Sequence, residues 1–207
     1  PGFFVPYYEQ TGRVTEIDFF VLNSVCRMLQ RRIKAGKPVV TVSCNFSRMH
    51  FMESGFPEKF LSVIDKYQIP KELIEVEITE TLVVEDVQQQ NVREIVDILR
   101  EKGVRLSIDD FGSGYSSLGV FEQIPASVIK LDRSFLLNNE NRTRQVQIMK
   151  NIVNLARDLN AQVVCEGVET EADTELMLEI GAYVAQGYRY CKPVPEDVFE
   201  KMLEGGK

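Results

Sequence analysis

The chain has 207 residues, of which 44% are hydrophobic and 27% are charged, and its formal net charge is -7. A chain of this length and composition can bury one substantial core, so we expect a single domain over residues 1–207. The acidic balance argues against binding to a nucleic-acid polymer but is compatible with a small phosphate ligand held by metals. No apolar run approaches a membrane span and no secretory leader is visible, so we expect a cytoplasmic domain without membrane contact.

Helix and strand patterns alternate from residue 16 onward, after a start that is expected to be irregular because it contains Pro6 and Gly12. Helical periodicity predicts helices over residues 16–35, 57–67, 85–102, 116–123, 142–160, 170–180 and 195–203. β-type runs predict six strands, over residues 39–45, 74–80, 104–108, 128–132, 162–169 and 183–190. Strands that alternate with helices form parallel β/α units, so the predicted fold class is α/β with a TIM-type β/α barrel.

The apolar residues of the first predicted helix recur at helical spacing and predict its buried face. These residues are Ile17, Phe20, Val21, Val25, Met28 and Leu29. Basic residues cluster at the end of this helix, where they can interact with the helix dipole and with solvent. We therefore do not interpret that cluster, which consists of Arg31, Arg32, Lys34 and Lys37, as a binding patch.

None of the four cysteines has the short paired spacing of redox or zinc motifs. Two of them, Cys44 and Cys165, fall inside predicted strands, which favours buried thiols. We therefore expect Cys26, Cys44, Cys165 and Cys191 to be reduced rather than disulfide-bonded or bound to zinc.

Two adjacent carboxylates, Asp109 and Asp110, end the third predicted strand and precede a loop rich in Gly and Ser. Two neighbouring buried carboxylates are costly unless a cation pairs with them, and carboxylate oxygens suit Mg²⁺, Mn²⁺ or Ca²⁺. Adjacent residues of a strand point to opposite faces, so both acids can serve one site only where the strand ends. The alternative is an Asp-Asp turn that caps the next helix.

Other predicted strands also deliver polar residues to their ends. Three of these runs finish in acids or amides, namely Asn45, Glu77 with Glu80, and Glu166 with Glu169, and a further run carries Lys130 and Asp132. The carboxyl ends of barrel strands converge on one face, so these residues are expected to meet in a metal site. A buried lysine needs a partner, and Asp132 lies two residues along on the same face, so a structural ion pair is the alternative interpretation of Lys130.

These residues, in this order, resemble the EAL domain family, whose members are cyclic di-GMP phosphodiesterases built on a modified β/α barrel. The motifs that carry the resemblance are Asn45, Glu77-Ile78-Thr79-Glu80, Asp109-Asp110-Phe111-Gly112-Ser113-Gly114-Tyr115-Ser116-Ser117-Leu118, Lys130-Leu131-Asp132, Glu166-Gly167-Val168-Glu169 and Gln186-Gly187-Tyr188. The resemblance implies a metal-dependent phosphodiesterase that hydrolyses cyclic di-GMP to linear pGpG in bacterial second-messenger signalling. It also implies fusion to sensory or diguanylate cyclase (GGDEF) modules in the parent protein.

The resemblance further implies two divalent cations, Mg²⁺ or Mn²⁺. Asn45, Glu77 and Asp109 match the ligands of one ion, and Asp109, Asp110 and Glu166 match those of the other, so that Asp109 would bridge them.

Roles for further residues follow from the same matches. Lys130 matches the lysine that holds or activates the attacking water, and Lys130, Glu169 and Asp110 are the expected catalytic residues. Asp132 and Gln186 match residues that line the site. Glu80 matches a glutamate that steadies the loop containing Gly112, Ser113 and Gly114, and a homodimer is expected through this loop.

The chain departs from the family pattern at its start. It contains neither the Glu-Ala-Leu strand, whose glutamate completes the shell of the first ion, nor the arginine that follows it, and residues 1–6 resemble the stretch just downstream. Only six strands are predicted where a closed barrel has eight, so we expect a barrel that is incomplete at its N-terminus. The alternative functions are a non-catalytic receptor or regulatory domain that binds cyclic di-GMP and a scaffold for protein contacts.

The remaining residues considered are assigned to packing or to solvent contact rather than to chemistry. His50, the single histidine, is expected to have a surface or packing role, and Glu75 is expected to face helices or solvent because it alternates away from Glu77. Six phenylalanines are expected to pack in the core and loops rather than to stack on bases: Phe19, Phe20, Phe46, Phe51, Phe56 and Phe60.

Overall fold

The computed structural model describes residues 5–53, 55–84, 89–113, 118–136 and 142–205. The strands are β1 (Val42–Asn45), β2 (Ile74–Thr79), β3 (Arg105–Phe111), β4 (Val128–Leu131), β5 (Gln162–Cys165) and β6 (Val184–Ala185). The helices are α1 (Val5–Gln10), α2 (Val14–Lys34), α3 (Phe56–Tyr67), α4 (Glu80–Val84), α5 (Gln89–Glu101), α6 (Gly119–Gln123), α7 (Arg142–Asp158), α8 (Glu171–Glu179) and α9 (Glu196–Leu203). Across the ranges described, no helix is both long and apolar enough to cross a membrane.

The chain divides into two compact units, and the prediction of a single domain stays a prediction. Unit 1 comprises Pro1–Ile78, Glu85–Leu106 and Glu200–Lys207, and unit 2 comprises Thr79–Val84 and Ser107–Phe199. In unit 1, β1 pairs with β2 in parallel. In unit 2, β3, β4, β5 and β6 pair in parallel one after another. Within unit 2 the strand order follows the chain order from β3 to β6, as expected for β/α units.

The buried face of α2 differs from the predicted one. Phe20 is 71% exposed, whereas Asp18 and Arg32 are buried. Arg32 can be buried because its Nε donates to the Pro38 carbonyl at 2.8 Å and its Nη1 lies 3.4 Å from a carboxylate oxygen of Glu204. Hydrophobic periodicity missed this face because it treats a polar residue as exposed, and paired polar residues are the exception to that rule.

Two segments near the ends of the chain also differ from the prediction. The start forms the short helix α1, in which Pro6 occupies the first turn, where proline is tolerated. The last predicted strand shortens to β6 because the chain turns at Gly187, where an added Cβ would lie 2.1 Å from the Val168 carbonyl oxygen. Such a close approach of two backbones requires glycine.

Most of the phenylalanines pack as expected into one cluster in unit 1. Phe46, Phe51, Phe56 and Phe60 are buried, and the Phe46 and Phe56 ring centroids are 5.3 Å apart. Phe19 joins them, with its ring edge-on to Phe46. Aromatic pairs at such separations add to the stabilisation that burial alone provides.

The cysteines are unpaired thiols, as the sequence predicts. Burial raises the pKa of Cys26, Cys44 and Cys165 to about 12 in each case, whereas Cys191 is exposed. Because the thiolate is the reactive form, the three buried thiols should be inert near neutral pH.

Reaction of the native chain with an aromatic disulfide reagent at pH 8 should therefore modify one thiol rapidly, and Cys191→Ser should abolish that fast phase. Unfolding in urea should expose all four thiols. If more than one thiol per native chain reacted in the fast phase, a buried cysteine would be accessible to the reagent.

Candidate metal centre

A β-bulge in β3 sets the positions of the two adjacent aspartates. Ile108 pairs with Ile129 of β4 and Phe111 pairs with Leu131, so two residues of β3, Asp109 and Asp110, stand opposite one residue of β4. Asp110 has a φ of +53°, in the left-handed region that Asp tolerates better than most residues. A bulge breaks the alternation of side chains along a strand, so both carboxylates can face one site.

The strand therefore does not end at the two acids, as we had expected. It continues to Phe111, and the bulge performs the role that we had assigned to the strand end. The alternative prediction, a turn of two aspartates that caps a helix, is wrong because both residues belong to β3.

The bulge brings both aspartates beside Glu166, the residue that follows β5. One carboxylate oxygen from each of Asp109, Asp110 and Glu166 lies within 4.8 Å of the other two. Asp109 and Glu166 are half-buried, while Asp110 is exposed. Three carboxylates this close repel one another, and a cation between them removes the repulsion.

Lys130 supplies one such cation from β4. Its ammonium nitrogen lies 2.9 Å from an Asp109 oxygen and 2.7 Å from a Glu166 oxygen, and its side chain is 6% exposed. Asp132, which we had considered as the partner of Lys130, instead accepts a hydrogen bond from the backbone N–H of Ser134 at 2.8 Å. The lysine is thus held by the acids of the cluster.

The loop after β5 is fixed from both sides. Gly167 has a φ of +65°, and an added Cβ would lie 2.7 Å from the Arg133 side chain. The guanidinium of Arg133 donates to the Glu169 carboxylate at 2.8 Å. On the other side, the Gln186 N–H donates to the Cys165 carbonyl and the Gln186 carbonyl accepts from the Val168 N–H. Glu166 is therefore carried on a constrained backbone.

The same loop leads into α8 through a capping box. The backbone N–H groups of Glu169 and Thr170 donate to the Asp173 carboxylate, and the Asp173 N–H donates to the Thr170 hydroxyl. Burial alone would raise the pKa of Asp173, but these hydrogen bonds outweigh it and lower the pKa below its ordinary value. A charged capping carboxylate of this kind stabilises the start of a helix.

The loop after β3 is held by a buried glutamate. Glu80, the first residue of α4, is 5% exposed and accepts a hydrogen bond from the Gly112 N–H at 2.9 Å. Gly112 has a φ of +95°, and the Phe135 ring occupies the space where a side chain would begin. The Ser113 N–H donates to the Asp110 carbonyl, whereas Gly114 and the loop residues up to 117 lie outside the described residues. The predicted dimer contact through this loop stays a prediction.

Two further predicted ligands lie together in unit 1. Asn45 ends β1 and pairs in register with Glu77 of β2, which is buried. Glu75 is not directed to solvent but is 8% exposed, and it accepts a hydrogen bond from Arg105 at 3.3 Å.

Two residues that shape the site, Arg133 and Phe135, were not predicted from the sequence. Both lie in the short 3-10 helix Arg133–Leu136 that follows β4. Their position immediately after the Lys130-Leu131-Asp132 motif was the available signal, because side chains that follow a barrel strand face the same end as the site.

These features define a parallel β/α protein with an acidic cluster at its strand ends. The chain belongs to the EAL domain family, whose sequence pattern it matches over residues 1–193. The resemblance proposed from the motifs is therefore confirmed.

Individual relatives give the same result. Signaling protein YkoW of Bacillus subtilis is 32% identical over 98% of this chain and 25% of its own length. Bifunctional diguanylate cyclase/cyclic di-GMP phosphodiesterase MucR of Pseudomonas aeruginosa is 33% identical over 95% of this chain and 28% of its own length. The chain thus spans about a quarter of the length of either relative.

A solved structure confirms the predicted fold class. The PaMucR phosphodiesterase in complex with c-di-GMP superimposes with a TM-score of 0.86 and 32% identity, covering 96% of this chain and 80% of that one. The α/β fold of the modified TIM-barrel type therefore holds for the chain.

Gly112→Ala is expected to lower the free energy of unfolding by roughly 2–4 kcal/mol, because it combines a strained φ with a clash against Phe135. Urea denaturation measures the loss. Adding Phe135→Ala removes the clash, so the double variant should lose less than the sum of the single variants. Strictly additive losses would show that the two residues are not coupled.

Proposed function

We propose that the chain is a metal-dependent phosphodiesterase domain that hydrolyses cyclic di-GMP to linear pGpG. The observation that carries the proposal is the convergence of the Asp109, Asp110 and Glu166 carboxylates, with the ammonium of Lys130 paired to the first and the last of them. Strand ends with only a structural role would not need such a cluster, since buried charges reduce stability unless they are well paired. The similarity to the bifunctional diguanylate cyclase/cyclic di-GMP phosphodiesterase MucR and to the PaMucR complex with c-di-GMP supports cyclic di-GMP as the substrate.

The donor set fits divalent cations such as Mg²⁺ or Mn²⁺. The three clustered carboxylates offer hard oxygen atoms within 4.8 Å of one another, and hard cations of this class prefer oxygen ligands. We assign Asp109, Asp110 and Glu166 to one ion. Asn45 and Glu77 offer an amide and a carboxylate oxygen from paired positions, and by family resemblance we assign them to the other. When bound, such ions stabilise charge on a phosphoryl group and make a bound water more acidic.

The side chains of the protein supply orientation and proton handling. We assign Lys130 to hold the attacking water, since its ammonium carries three donor hydrogens and is fixed by two carboxylates. We assign Glu169, whose carboxylate is held by Arg133, as a further catalytic residue. By family resemblance we assign Asp132 and Gln186 to the lining of the substrate region.

The reaction is a hydrolysis with a simple balance. The water oxygen bonds to phosphorus, the ester bond to a ribose 3′ oxygen breaks, and that oxygen leaves with a proton. One opened ring bond yields the linear dinucleotide.

The direct test is chromatography of cyclic di-GMP after incubation with the chain and Mn²⁺. We expect pGpG that fails to form when a chelator is added. If the nucleotide binds but no pGpG forms at saturating Mn²⁺, hydrolysis by this chain is contradicted, and a receptor function is the better account.

Asp109→Asn should lower turnover by more than about a hundredfold, since it removes a ligand charge without changing the shape of the side chain. The matched control is Asp97→Asn, which alters an exposed aspartate paired with Arg100 outside the cluster. The control should retain wild-type turnover. Undiminished turnover in Asp109→Asn would contradict the assignment of Asp109 as a ligand.

Lys130→Met is expected to lower turnover strongly while keeping the rise in melting temperature that Mn²⁺ causes. Removing the ammonium leaves the carboxylates to repel one another, so a metal cation should still stabilise the fold. Thermal denaturation with and without Mn²⁺ measures this effect. Wild-type turnover in Lys130→Met would mean that the lysine is only part of a structural ion pair.

A further inference from the structure

We infer that Asp18 and His50 form a positioning pair that fixes the backbone carrying Asn45, and this inference rests on the proposed role of Asn45 as a metal ligand. Both residues belong to unit 1 and lie outside the predicted acidic cluster. His50 follows β1 in the short 3-10 helix Arg48–Met52, and Asp18 lies on α2.

One buried oxygen atom connects the two elements. Oδ2 of Asp18 lies 3.0 Å from Nε2 of His50 and accepts the backbone N–H of Ser47 at 2.9 Å. Asp18 is 8% exposed and His50 is 2% exposed. Because a carboxylate oxygen only accepts, the Nε2 atom carries a proton, and the imidazole and the loop share a single acceptor.

Aromatic rings hold the imidazole in this orientation. The His50 ring stacks on Phe56 with centroids 4.8 Å apart and planes at 29°. Phe19 and Phe46 meet the same ring edge-on, at 5.2 Å and 5.4 Å. A ring enclosed in this way has little freedom to turn, so the direction of its Nε2–H bond is fixed.

The fixed segment begins immediately after Asn45. The Phe46 N–H donates to the Glu77 carbonyl at 3.3 Å, and the next amide, that of Ser47, donates to Asp18. The two peptide groups that follow Asn45 are therefore attached to β2 and to α2. Asn45 itself is exposed, so the direction of its side chain depends on this backbone rather than on packing around it.

Stability alone does not require this pair. Apolar residues of similar size in place of buried charged or polar pairs often leave stability unchanged or increase it. A hydrophobic pair would provide neither an acceptor for the Ser47 N–H nor a defined direction for the loop. Both are needed if the loop is to hold a metal ligand in position.

The test compares three variants of α2 in the full 207-residue chain. Asp18→Ala removes the shared acceptor. Asp18→Asn keeps one amide oxygen that can occupy this position and accept from both the Ser47 N–H and the Nε2–H of His50. Asn23→Ala, the matched control, removes hydrogen bonds to Phe19 and from Tyr67 on the same helix but does not touch the loop.

Two readouts are independent of turnover. The first is the Mn²⁺ concentration that gives half of the maximal rise in melting temperature, and the second is hydrogen exchange of the Phe46 and Ser47 amides without metal. For Asp18→Ala we expect an increase of about tenfold in that concentration and faster exchange. For Asp18→Asn we expect values within about twofold of wild type, and for Asn23→Ala a lower melting temperature with an unchanged metal response.

The outcomes separate this inference from the proposed function. If wild type does not respond to Mn²⁺, the metal site itself is contradicted. If wild type responds and Asp18→Ala responds equally, or if Asn23→Ala weakens the response as much, the positioning role is overturned. Should Asp18→Ala fail to fold, His50→Phe retains the stacking and removes only the Nε2 contact. It should then show a weaker metal response, and a wild-type response would overturn the pair.

Discussion

Repulsion among three neighbouring carboxylates is the constraint around which unit 2 is organised. Asp109, Asp110 and Glu166 would separate in the absence of a cation, and the ammonium of Lys130 lies within 3 Å of two of them. Carboxylate oxygens and an ammonium group therefore meet at one place in this unit. Carboxylate oxygens are the ligands that hard divalent cations prefer, and this donor set is the physical basis for proposing such cations and a phosphoryl substrate at the site.

Backbone conformations that few residues adopt keep the carboxylates in place. The bulge in β3 requires a left-handed φ at Asp110, and the loops that follow β3 and β5 turn at Gly112 and Gly167. Each turn is closed by a neighbouring side chain, Phe135 in one case and Arg133 in the other. Strained positions persist only where the surroundings determine them. Packing around the two loops therefore keeps the backbone in place, and that backbone holds the carboxylates close together despite their repulsion.

The sequence predicted the order of helices and strands because alternating hydrophobic periods are local signals. The same patterns predicted that Asp109, Asp110, Glu166 and Lys130 lie at or near the ends of strands. The sequence could not predict the bulge, because a register shift depends on how β4 pairs with β3. It misjudged the buried face of α2 because Asp18 is buried by partners that are distant in sequence. The partners of Lys130 were missed for the same reason, since they come from β3 and from the loop after β5.

Electron paramagnetic resonance of Mn²⁺ during a titration with the 207-residue chain tests the central claim most directly. The free aqueous ion gives a strong signal that falls when the ion enters a protein site. We predict a saturable loss of signal that a chelator reverses and that Asp110→Asn weakens markedly. A signal that remains that of the free ion at every protein concentration would contradict a metal site at the carboxylate cluster.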